Sequence, residues 1–261
     1  SPPNSAKARE VRVAIIAASK SDVGRARTHN EDYVWTDDRA GVYVVADGLG
    51  GHEAGDVASQ LAATTVGQVI TARLGAGAEH LPTRAIRALL RGAIEIANEQ
   101  VCAAADQGGQ GLRMGATIVA ALVRPPAAYI AHAGDARAYL ARGSAISRLT
   151  ADDSLVAGLV RAGELSEAEA RSHPQRHVVT KIVGQRSAVA PGFVEVALTT
   201  GDWLVLCSDG LWSMLDDQTI LMELQRADGR PARVVETLVQ AANTAGGQDN
   251  ISVIAIQVAP C

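Results

Sequence analysis

Apolar residues in this chain gather into short runs, each closed by a turn signal, and that spacing excludes most architectures before any residue is considered singly. Runs at 11–18, 33–36, 42–45, 116–123, 128–133, 136–141, 193–198, 203–207 and 251–258 are rich in Val, Ile, Leu and Ala and are bounded by Gly, Pro, Asp or Ser, which is the pattern of β-strands. None is long enough to span a bilayer as a helix. Two longer segments, 53–74 and 82–106, carry helical spacing. In the second, Ile86, Leu89, Leu90, Ala93, Ala97 and Val101 recur three or four apart, and Pro82 stands in the first turn, where a missing N–H is harmless. Shorter helices are expected at 155–161, 216–226 and 231–244, with a capping box at Ser166 and Glu169. The three runs between 116 and 141 read as a meander, and 108–111 as a glycine-rich loop. Strands in blocks and helices in blocks favour a layered α+β fold with mostly antiparallel sheet. No linker or repeat divides the chain. One domain is expected over 11–261, after a flexible lead-in at 1–10, with the irregular, polar stretch 150–184 as an inserted surface module.

The chain has 261 residues, 48% hydrophobic and 20% charged, with 24 basic against 28 acidic side chains and a net charge of −4. An apolar content this high excludes a disordered chain. The acidic balance argues against nucleic acid and anionic membrane, which require clustered Lys and Arg. Cys102, Cys207 and Cys261 lack paired spacing, so a reducing, cytoplasmic setting is expected. A cytosolic domain cut from a longer membrane protein would show the same features.

The acids repay closer reading. Asp47, Asp135 and Asp209 each stand where an apolar run gives way to a turn; Asp249 stands just before the last run, and Glu31 and Asp32 just before Tyr33. Taken alone, Asp47-Gly48 or Asp209-Gly210 is ordinary turn punctuation. Together they place hard oxygen donors at many strand ends, and carboxylates gathered there need a counter-charge. Without Cys or His beside them, such donors suit Mg²⁺ or Mn²⁺ rather than zinc.

Six motifs carry a resemblance: Gly24-x-x-Arg27-x-x-Asn30-Glu31-Asp32, Val45-Ala46-Asp47-Gly48-Leu49-Gly50-Gly51-His52, Met114-Gly115-Ala116-Thr117, Gly134-Asp135-Ala136-Arg137, Ser208-Asp209-Gly210-Leu211-Trp212 and Asp249-Asn250. In kind and order they are similar to those of the bacterial metal-dependent protein phosphatases, the PPM family or protein phosphatase 2C type. The resemblance implies a four-layer α-β-β-α sandwich of two antiparallel sheets flanked by helices, with residues 150–184 as a flap beside the active site. It implies a protein serine/threonine phosphatase in which a hydroxide bridging two divalent metals, Mn²⁺ or Mg²⁺, attacks phosphorus with no phosphoenzyme. Asp47 would bridge both ions, the Gly48 carbonyl would ligate the second, and Asp209 and Asp249 the first. Glu31 and Asp32 would act through water, Arg27 would hold the phosphate, and Asp135 with Asp209 would form a weaker third metal site. The implied partners are phosphoproteins, a Ser/Thr kinase and its targets among them, acted on by a monomer.

Some positions depart from the pattern. Leu49 replaces the usual methionine, Ala116 and Ala136 replace hydroxyl residues, Asp153 stands where histidine is usual, and His177 where asparagine is common. His52 reads as a polar residue near a helix start, which leaves a metal-held water as the acid for the leaving group; His132 and Cys207 read as packed strand residues. The two rival readings are a catalytically dead phosphoprotein-binding domain and a small-molecule phosphomonoesterase. Six of the 28 acids belong to the proposed site, so the remainder no longer outnumber the 24 bases, and the acidity of the chain is concentrated there.

Overall fold

The computed structural model describes residues 13–51, 53–75, 81–107 and 114–260. The lead-in at 1–10, His52, the loop at 108–111 and Cys261 lie outside them. In chain order the elements are β1 (Val13–Asp22), β2 (Asp32–Asp37), β3 (Val42–Leu49), α1 (Glu53–Arg73), α2 (Thr83–Gln107), β4 (Gly115–Arg124), β5 (Ala127–Ala133), β6 (Arg137–Arg142) and β7 (Ala145–Arg148). They continue with α3 (Leu155–Arg161), α4 (Glu167–Ser172), β8 (Gly192–Ala197), β9 (Trp203–Cys207), α5 (Asp209–Trp212), α6 (Asp217–Arg226), α7 (Pro231–Thr244) and β10 (Ile251–Pro260).

The strands form two antiparallel sheets, ordered β1-β10-β9-β6-β7 and β2-β3-β4-β5-β8. Period-two geometry explains how both faces of a strand are buried. In β3, Tyr43 and Val45 enter the core between the sheets, beside Val119, Ile130, Leu204, Leu206 and Ile254. The intervening Val42, Val44 and Ala46 face outward and pack under α1 and α2 with Ile70, Leu90 and Ile94. The other sheet is covered by α6 and α7 through Ile220, Leu224, Val234 and Leu238. Strands covered on both faces lose the alternation of a half-exposed sheet, which is why β3, β4 and β9 read as continuous apolar runs. The layers are therefore helix, sheet, sheet, helix, as the resemblance implies. Helix α1 approaches β2 closely at Gly67, where a Cβ would run into the Trp35 ring.

One sequence expectation is corrected, and two elements were not foreseen. The run at 136–141 does not complete a meander with β4 and β5: as β6 it pairs with β9 and β7 in the other sheet. Gly134, at φ +100, makes the turn that carries the chain across, and an apolar run reads the same whichever sheet receives it. Strand β7 and helix α5 were not expected, β7 being short and largely exposed and α5 only four residues long. Residues 150–184 hold α3, capped by Ser154, and α4, whose capping box of Ser166 and Glu169 is present. The bridge Ser154–Val179 ties the two ends of this segment together, and the bridge Ala116–Val183 joins it to β4. His132 is 5% exposed and Cys207 fully buried, in keeping with packed strand residues, and Cys102 and Cys207 are free. Among the described residues no helix is long and apolar enough to cross a membrane.

Candidate functional site

Strand pairing gathers the acids at one end of the sandwich. In the β2–β3 ladder Asp32 lies opposite Asp47, and in the β3–β4 ladder Asp47 lies opposite Thr117. From the other sheet, β9 ends at Cys207, so Asp209 opens α5, and Asp249 stands just ahead of the neighbouring strand β10. Ser208 joins the two sheets here: its hydroxyl donates to Asp32 Oδ2 at 2.6 Å, and its oxygen accepts from the Ser252 N–H at 3.0 Å.

The loop that carries Arg27 is held against the same end. Asn250 accepts the Glu31 N–H at 2.8 Å and donates to the carbonyls of Val23 and His29, each at 2.9 Å. Gly24, at φ +81, lies so close to the Asp249 carbonyl that a Cβ would collide with it, and a Cβ on Gly48 would collide with the backbone of Gly55 and Glu31. Only glycine allows both approaches. Arg27 donates to Asp249 Oδ2 at 2.8 Å, and about half of its side chain (52%) still faces solvent.

Asp135 approaches from the Gly134 turn. Its carbonyl accepts from Trp212 Nε1 at 3.0 Å, and the Trp212 ring carries the Arg137 guanidinium 3.5 Å above its centroid. Arg137 in turn binds Asp152 with both prongs, at 3.0 and 2.7 Å. A cavity of about 600 Å³ opens beside Asp135 and Asp209, walled by Trp212, Val156, Val160 and Arg176.

The electrostatics are those of a cluster lacking balancing charge. Burial and then repulsion from Asp32, Asp209, Asp135 and Asp249 hold the Asp47 carboxyl well above its ordinary range. Asp32 is pushed up to about 7 by burial, against the hydrogen bond from Ser208, with Asp249 and Glu31 adding to the rise. Asp135 reaches about 7 through burial and then Asp209, and Asp209 reaches about 7 through burial and then Asp249 and Asp32. Two buried oxygens, Asp32 Oδ1 and Asp209 Oδ1, have no hydrogen-bond partner. Orphaned carboxylate oxygens are costly unless something positive meets them. Among the described residues no three His, Cys, Asp or Glu side chains form a ready-made ion cage. The donor set, all oxygen, fits hard divalent cations.

Each acid expected from the sequence, together with Arg27 and Gly48, therefore lies at this end of the sandwich. Ser208, Asn250 and Trp212 were not singled out as site residues; each adjoins or lies within a motif that was, and their partners lie far away in the chain.

Comparison with known proteins agrees. The family model for protein phosphatase 2C matches residues 24–252. Protein phosphatase PhpP of Streptococcus pneumoniae is 37% identical over 243 residues, covering 91% of this chain and 95% of that protein. The serine/threonine phosphatase of S. agalactiae superposes with a TM-score of 0.84 at 33% identity, covering 94% of this chain and 99% of that one. The catalytic domain of the phosphatase PstP in complex with two manganese ions superposes with a TM-score of 0.81 at 30% identity, covering 95% of this chain and 100% of that one. With the motifs in order, the fold of two sheets between helices, and these matches over nearly its whole length, the chain belongs to the protein phosphatase 2C family of bacterial PPM-type serine/threonine phosphatases.

Proposed function

We propose that this chain is a Mn²⁺- or Mg²⁺-dependent phosphatase acting on phosphoserine and phosphothreonine in proteins. The observation that carries the reading is the set of mutually repelling carboxylates, with two orphaned buried oxygens, at the end of the sandwich that also presents Arg27. Asp47 would bridge two ions, the Gly48 carbonyl would hold one, and Asp209 and Asp249 the other. Glu31 and Asp32 would act through water, and Asp135 with Asp209 would hold a weaker third ion. When bound, two divalent ions supply Lewis-acid activation of a water for in-line attack on phosphorus, with no phosphoenzyme, and offset the carboxylate charge that would otherwise repel a phosphate carrying roughly −1.5 to −2.

The chain's own residues do the positioning. Arg27 has five donors in a planar fork, so it can keep its bond to Asp249 and offer other donors to two phosphate oxygens. Ser208 fixes the Asp32 carboxylate, and Asn250 fixes the loop that carries Arg27 and Glu31. Residues 150–184, with α3 and α4, form one wall of the cavity beside Asp135 and act as a flap over peptide flanking the phosphorylated residue. A Ser/Thr kinase and its targets are the proposed partners of a monomeric, cytoplasmic enzyme. The test is hydrolysis of a phosphopeptide with Mn²⁺, with EDTA, and by Asp209→Asn. Turnover is expected only for the wild type with metal; activity that survives both chelation and the substitution would overturn the reading. A panel of phosphoproteins and sugar phosphates separates the protein substrate from the small-molecule one.

A further inference from the structure

Position 153 carries an acid where the resemblance leads one to expect histidine, and the structure shows what that acid touches. Asp153 meets the Gly134–Asp135 turn twice. Its N–H donates to the Gly134 carbonyl at 2.9 Å, and its Oδ2 accepts the Gly134 N–H at 3.3 Å. The other carboxylate oxygen takes Lys181 Nζ at 2.8 Å, and the Asp153 carbonyl accepts the Thr180 N–H at 2.7 Å. Asp153 is therefore the point at which the two ends of the 150–184 segment and the turn before Asp135 meet. The pair is largely shielded, with side-chain exposures of 17% for Asp153 and 28% for Lys181.

The turn has little freedom elsewhere. Gly134 is at φ +100 and packs so tightly on Thr117 that a Cβ would meet that side chain at 2.6 Å, while Thr117 lies opposite Asp47. On its far side the Asp135 carbonyl is held by Trp212. With Thr117 behind it and Trp212 beyond it, the side of the turn that remains is the one Asp153 occupies. A partly buried acceptor that binds both a backbone N–H and a lysine is held more stiffly than by either bond alone.

We infer that Asp153, clamped by Lys181, is a positioning residue that fixes the Gly134–Asp135 turn and thereby the direction of the Asp135 carboxylate. It acts through Asp135, with no contact to substrate. Its effect on metal rests on the proposed third-ion role of Asp135; its effect on the turn does not.

Two readouts separate these. In metal-free protein, hydrogen exchange in peptides spanning Gly134 should run about fivefold faster in Asp153→Ala, the loss of roughly one net hydrogen bond. Asp153→Asn, which keeps an oxygen for the Gly134 N–H, should recover most of that protection. Calorimetric titration with Mn²⁺ should show the weakest binding event falling about tenfold in Asp153→Ala and in Lys181→Met, the size expected for an outer residue that orients a ligand. The tighter events should stay as in wild type, the double variant should be no worse than Asp153→Ala, and Asp135→Asn should lose the weakest event. Unchanged exchange at Gly134 overturns the positioning role, as does an equal fall of every Mn²⁺ event, which would mark a general folding defect. Wild-type protein that binds no Mn²⁺ removes the metal reading of the site, and exchange at Gly134 then decides the role of Asp153 by itself.

Discussion

Asp209→Asn should make the metal-free protein more stable, although it removes a residue proposed as essential. The Asp209 carboxyl is carried from 3.8 to about 7, by burial first and by Asp249 and Asp32 next. A folded-state value above the unfolded one means that the folded protein keeps its proton to higher pH. The group therefore costs nothing below the unfolded value. Stability is lost as pH rises from about 4 towards about 7, and the loss is complete above that. A displacement of this size amounts to about 4 kcal/mol at 1.4 kcal/mol per tenfold change in the equilibrium. Asparagine removes the charge but leaves a polar group to be desolvated, so the relief is on the order of 2 kcal/mol, or roughly 4–8 °C in Tm for a domain of this size. The assay is thermal unfolding in EDTA at about pH 5 and about pH 8. The variant should melt higher at the higher pH, with a smaller gap at the lower one. Excess Mn²⁺ should reverse the order, because only the wild type gains the full binding free energy. A variant that melts below wild type in EDTA at about pH 8 would refute the claim that the acids destabilise one another.

Three further substitutions test the scaffold. Arg27→Lys keeps the charge but loses the planar fork, so kcat/KM on a phosphopeptide should fall about 10- to 100-fold, the worth of one charge-assisted hydrogen bond; full activity would remove the two-pronged phosphate role. Gly24→Ala places a methyl against the Asp249 carbonyl at φ +81 and should cost about 2 kcal/mol or more in chemical denaturation, with weakened Mn²⁺ binding; a neutral result would show that the loop relaxes freely. Asn250→Ala strips partners from Glu31 N–H, Val23 O and His29 O and should cost about 3 kcal/mol, read by denaturant unfolding, with a rise in KM as the Arg27 loop loosens; a cost under about 0.5 kcal/mol would mean water replaces it.

Much of the fold was readable because both sheets are buried on two faces, so β3, β4, β9 and β10 stand out as apolar runs. The sheet to which each belongs was not readable, as β6 shows: nothing in an apolar run names its partner, and only the Gly134 turn sends it across. The acids were visible as strand-end residues, but Asp-Gly is also common turn chemistry. Their convergence depends on pairings such as Asp32 with Asp47 across β2–β3, and on Ser208 reaching Asp32 over 176 positions of sequence. The family motifs supplied that convergence in advance. They did not supply the contacts of Asp153, because the residue departs from them.

The central claim, that the carboxylates around Asp47 form a two-ion site, is tested most directly by anomalous scattering from crystals soaked in Mn²⁺. The account predicts two peaks roughly 3.5–4 Å apart, with Asp47 between them and Asp209 and Asp249 beside one. Crystals that diffract well after soaking yet show no peak within bonding distance of Asp47 would contradict it.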